Sequence, residues 1–66
     1  MSDTRLMPVP DALVGERVDA ALSRILGLSR SRCSDLILAQ NVTINGTPAS
    51  KSDRLGVSDL LEITIP

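Results

Sequence analysis

The chain reads as an α+β domain in which two short helices pack against a small, mainly antiparallel sheet. Three observations predict this. Val18, Ala21, Leu22, Ile25 and Leu26 fall at i, i+3, i+4, i+7 and i+8, one face of a helix. A second helix-like stretch opens at Ser29, and beyond Gln40 the apolar period drops to two around Asn45-Gly46. Sixty-six residues make one domain at most, and a chain of this size buries only about 60% of the surface its unfolded form exposes.

Arg5 to Val9 is expected to be a short edge strand, because Leu6 and Val9 are apolar while Pro8 and Pro10 are tolerated only at an edge or a strand end. The helical pattern starts at Glu16, with Gly15 placed to cap it and Gly27 to end it in the left-handed conformation. Ser29 is an N-cap for the second helix, with Leu28 and Cys33 spaced as a hydrophobic staple. Cys33, Leu36 and Ile37 mark the buried face of that helix, and the two residues Gly27 and Leu28 force a sharp turn between the pair.

Val42 and Ile44 then alternate with Thr43, and Asn45-Gly46 supplies two positions that tolerate positive φ, the requirement of a two-residue hairpin turn. Pro48 cannot donate to a ladder, so the returning strand belongs at an edge. Ser50 to Arg54 is a polar loop, and Leu60 to Ile65 a last strand with Leu61, Ile63 and Ile65 on one face.

Composition excludes several functions. Cys33 is the single cysteine and there is no histidine, so no internal disulfide, no zinc site and no Ser-His or Cys-His pair is expected. Cys33 reads as a core residue. Neither GxxxxGK[ST] nor GxGxxG occurs, and no cofactor is expected. No stretch approaches the roughly 18 apolar residues of a membrane span, and the first residues lack a signal-peptide run, so a cytoplasmic monomer without a membrane partner is expected. With no Phe, Tyr or Trp, bases cannot be stacked on aromatic rings, and nucleic acid would have to be held through phosphates, 2′-hydroxyls and shape.

The net charge is −1, which argues against a strong general nucleic-acid binder, yet the charge is unevenly distributed. Residues 17–54 carry Arg17, Arg24, Arg30, Arg32, Lys51 and Arg54 against Asp19, Asp35 and Asp53, a local +3, between flanks of −2 each. Arg30 and Arg32 stand in the first turn of the second helix, where the backbone dipole disfavours a cation by about 0.3–1 kcal/mol. An anion there would remove the conflict, since free N–H groups and guanidinium forks make a phosphate site. The candidate RNA-binding residues are therefore Ser29, Arg30, Ser31 and Arg32, extended by Lys51 and Arg54 in the polar loop. Arg17 joins them although Glu16 and Asp19 partly neutralise it, as does Asn45, whose first reading is a turn residue. Arg24 lies in the last turn of its helix, where a cation is favoured, and reads as structural.

Arg17-Val18-Asp19-Ala20-Ala21-Leu22, Leu28-Ser29-Arg30-Ser31-Arg32 and Val42-Thr43-Ile44-Asn45-Gly46, in that order, resemble the RNA-binding domain named after the fourth protein of the small ribosomal subunit. Its pattern is Arg-Leu-Asp-x-x-Leu, Ser-Arg-Ser, Val-x-Val-Asn-Gly and a later Gly-Asp. The likeness runs from about residue 15 to 65, within a single domain of residues 1–66. The segment Val9 to Asp19 is most similar to the version found at the N-terminus of large-subunit ribosomal RNA pseudouridine synthases. The resemblance implies an alpha-L type fold and a module that positions structured ribosomal RNA for an attached synthase domain, itself absent from this chain. It implies that this piece alone is not an enzyme. Departures are Ser34 and Asp35 where basic residues are common, Gln40 in place of a helix-ending glycine, and Ser58-Asp59 in place of Gly-Asp. A protein-interaction or assembly module, or a standalone RNA-binding accessory protein, is the alternative. Salt dependence of binding separates the protein-interaction reading, and the reading frame beyond Pro66 the accessory one.

Overall fold

The computed structural model describes residues 3–66. Its elements are β1 (Asp3–Pro8), a single 3-10 turn at Asp11–Leu13, α1 (Val18–Leu26), α2 (Arg30–Leu38), β2 (Val42–Ile44), β3 (Thr47–Pro48) and β4 (Leu60–Ile65). The four strands form one sheet in the order β1-β4-β2-β3, with every pairing antiparallel. Both proline-bearing strands occupy the edges, where a missing N–H removes no ladder bond.

Alternation along β4 decides what the sheet buries. Leu61 and Ile63 are fully buried and Ile65 packs beside them, whereas Leu60 is exposed. The same register turns Met7 of β1 inward opposite Leu61 and leaves Leu6 exposed opposite Glu62. Val18, Ala21 and Leu22 of α1 and Cys33 and Ile37 of α2 close the core from the helical side, joined by Val9, Leu13, Ala49 and Leu55 from the connections. Among the described residues no helix is long and apolar enough to cross a membrane.

Gly27 has φ 70° and ends α1, and Ser29 caps α2 by accepting a hydrogen bond from the Arg32 amide at 3.2 Å. The start of α1 differs from the sequence expectation: its N-cap is Arg17, and Gly15, with φ 86°, lies in the approach. The reason is tertiary. The Leu55 amide donates to the Glu16 carbonyl, Gly15 N–H donates to Leu55 O, and Arg17, itself extended, forms an isolated antiparallel bridge with Arg54, so this stretch is held out of the helix. The Val18 amide, one of the free donors of the first helical turn, donates to the Asp53 carbonyl. The polar loop thus fixes where α1 begins.

Asn45 and Gly46, at φ 54° and 84°, close the hairpin with Ile44 opposite Thr47, and the Ala49 amide continues the pairing by donating to Val42 O. The Asn45 side chain reaches across to the start of β4. Its Nδ2 donates to Asp59 Oδ1 at 2.9 Å, and its Oδ1 accepts from Leu60 N at 2.8 Å.

Candidate nucleic-acid interface

The site is organised around Asp19, which is only 4% exposed and is the single buried carboxylate among the described residues. It stands in the first turn of α1, next to the buried stripe of Val18, Ala21 and Leu22. Arg17 forks onto it, Nε donating to Oδ1 and Nη2 to Oδ2, both at 3.2 Å. Arg30, arriving from the start of α2, donates from Nη2 to the same Oδ2 at 3.2 Å, and the Ala20 amide donates to Oδ1 at 2.9 Å. Both carboxylate oxygens are therefore doubly engaged. Burial pushes this carboxyl up, but the hydrogen bonds from Arg30 and Ala20 and the charges of Arg17 and Arg30 outweigh it, so the group stays below the usual carboxylate range.

Two cations on one anion leave a surplus of positive charge, and both guanidinium groups remain partly open, with side-chain exposures of 42% for Arg17 and 59% for Arg30. Arg54 belongs to the same region because its backbone pairs with Arg17; its Nη1 donates to Gly15 O at 2.8 Å. Lys51, three residues earlier on the same loop, borders a shallow groove with Ile37, Leu38 and Gln40 at the far end of α2. The loop thereby runs from the start of α1 to the end of α2, with Arg54 at one end and Lys51 at the other. Arg24 is taken up by Glu16 at 2.9 Å, consistent with its structural reading.

Arg30 and Arg32, read in the sequence as one pair, lie on different sides of α2 in the structure. Steps of 100° per residue put them on nearly opposite sides of α2. Arg30 turns to α1, while Arg32 borders a groove with Leu28, Asp35, Asn41 and Ile65 at the end of β4. The unfavourable placement of Arg30 in the first turn is also met within the chain, by Asp19. Arg32 keeps that conflict, having no carboxylate within 4 Å among the described residues. Ser29 spends its hydroxyl oxygen on the cap, and Ser31 is exposed beside it. Asn45 uses both ends of its amide on β4, which makes it first a structural residue.

Sequence reasoning passed over Asp19 as an organiser. The available signal was an aspartate beside the apolar stripe of α1, two residues after an arginine, where a buried charge requires a partner. Cys33 is fully buried, and burial first, then the Asp19 charge, push its thiol up despite the nearby Arg30, so it is a core group and a poor nucleophile.

The S4 domain family matches residues 16–61, from the approach to α1 through both helices and the hairpin to the first residues of β4. Over 62 residues, 94% of this chain, the sequence is 52% identical to an uncharacterized RNA pseudouridine synthase of Mycobacterium bovis, and equally to one of Mycobacterium tuberculosis. The chain spans about 20% of the length of each of these relatives. Two helices on an antiparallel sheet, a start of α2 that meets α1 through charge, and a family match over most of the chain agree: the chain belongs to the S4 domain family, an RNA-binding domain.

Proposed function

We propose that this domain binds structured ribosomal RNA through the face where Arg17, Arg30 and Arg54 converge and Lys51 extends the track, and that it positions this RNA for a pseudouridine synthase domain. The observation that supports the reading is that Arg17, just ahead of α1, and Arg30, in the first turn of α2, meet on Asp19 while Arg54 pairs with Arg17 through its backbone, in a domain whose net charge is −1. An acidic domain that gathers its cations on one face presents phosphates with a local positive field. The role in pseudouridine formation rests on the relatives, which are named as RNA pseudouridine synthases and continue well beyond the shared segment. In that arrangement the domain contributes affinity and orientation, and catalysis comes from elsewhere.

Filter binding of the chain to in vitro transcribed large-subunit ribosomal RNA at several salt concentrations tests this. If about four phosphates are contacted, log affinity falls against log salt with a slope of roughly −3 to −4. Replacing Lys51 and Arg54 by alanine lowers the magnitude of that slope by about two when each neutralises one phosphate. Binding that ignores salt, or a slope unchanged in the double variant, would place the interface elsewhere.

A further inference from the structure

Given the RNA-binding face proposed above, we infer that Asp19 is a positioning residue for RNA: a buried anion that locks Arg17 and Arg30 into one rigid pair of phosphate donors. A carboxylate in an RNA-binding surface would ordinarily be a liability, because it repels the backbone. Here it is buried, while the two arginine side chains it holds remain 42% and 59% exposed. A guanidinium has five N–H donors. Arg17 commits two of them to Asp19 and Arg30 commits one, which leaves three and four for an external anion.

Arg17 comes from the approach to α1 and Arg30 from the first turn of α2, so the shared carboxylate joins donors from two helices at one point. Long, flexible side chains otherwise lose rotamer freedom on binding, a cost that weakens it. Asp19 meets that cost during folding.

The inference predicts an effect opposite in sign to that of plain electrostatics. Asp19→Asn removes one negative charge from beside the RNA, so a charge-only surface would bind RNA more tightly. A positioning carboxylate predicts weaker binding, by about tenfold or more, because charge-assisted hydrogen bonds orienting two arginines are lost. Asp11→Asn, an exposed change of the same charge in the 3-10 turn with no ion pair to these arginines, serves as the control and leaves affinity unchanged or slightly raised.

The experiment measures binding of the wild-type chain, Asp19→Asn and Asp11→Asn to the same large-subunit ribosomal RNA, with circular dichroism to confirm folding. Weaker binding by folded Asp19→Asn alone supports the inference. Equal or tighter binding by that variant overturns it, while wild-type binding stands and with it the proposed function. Salt-independent or absent binding by the wild type overturns both. Should Asp19→Asn fail to fold, the wild-type chain decides by NMR: the side-chain Nε–H signals of Arg17 and Arg30 shift together on addition of RNA, or remain unmoved and refute the pairing.

Discussion

Asp19 ties stability to Arg17 and Arg30, the two arginines of the proposed RNA-binding face. Removing one partner from a fully buried ion pair costs roughly 3–5 kcal/mol, but both arginines are close to half exposed and solvent screens them. Asp19→Ala is therefore expected to destabilise the domain by about 1–2 kcal/mol at neutral pH. Its carboxyl is held below the ordinary value near 3.9, so the unfolded chain takes up the proton first. The contribution is complete above that ordinary value and is lost as the pH falls through the folded one. Urea unfolding of the wild type and Asp19→Ala should show a gap in midpoint at pH 7 that closes on acidification below pH 3.9. The two arginines of the first turn of α2 should separate in the same assay. Arg30→Glu sets a carboxylate against Asp19 and destabilises, whereas Arg32→Glu suits the helix dipole and is neutral or stabilising by up to about 1 kcal/mol.

At the scale of elements, the ends of helices and strands carry the constraints. Ser29→Ala removes the cap on the Arg32 amide and is expected to cost about 1 kcal/mol. Gln40, where α2 gives way to β2, and Ser58, before β4, have φ of 63° and 68°, a left-handed conformation that glycine adopts without strain. These are the positions at which the chain departs from the glycines of its family pattern. Gln40→Gly relieves that strain, partly offset by the greater freedom of an unfolded glycine, and should stabilise by a few tenths to about 1 kcal/mol in urea unfolding. Asn45→Gly keeps the turn conformation but loses both links to β4, so the hairpin should fray, seen as faster amide exchange at Thr47 and Leu60.

For the whole molecule, a small core sets the margin. At about 0.05–0.15 kcal/mol per residue the domain holds roughly 3–10 kcal/mol in total. Leu22, fully buried among α1, α2 and the sheet, costs about 2–5 kcal/mol when cut to alanine. Leu22→Ala should therefore raise the unfolded fraction at 37 °C measurably by circular dichroism, and saturating RNA should restore part of the lost helical signal by mass action. Incubated with unmodified ribosomal RNA, the wild-type chain is expected to leave pseudouridine at the level of a protein-free control, because Asp19, the buried carboxylate at the cationic face, has both oxygens engaged by Arg17, Arg30 and the Ala20 amide, and Cys33 is a buried thiol.

Local chemistry determined most of the architecture. Periodicity of 3.6 placed α1, Ser29 and Gly27 bounded the turn between helices, Asn45-Gly46 fixed the hairpin register, and two prolines assigned β1 and β3 to edges, because each of these depends on residues only a few positions apart. The true start of α1 was not local: residues 53–55 hold Gly15 to Arg17 out of the helix, and no spacing near Glu16 encodes that partner. The site divided in the same way. A basic middle segment was legible as charge along the chain, but which arginines share a face was decided by the docking of α1 against α2. That docking draws Arg30 to Asp19, eleven residues away, and leaves Arg32 on the other side of its own helix. A buried carboxylate must find its cations in three dimensions, and only the folded chain shows which ones it takes.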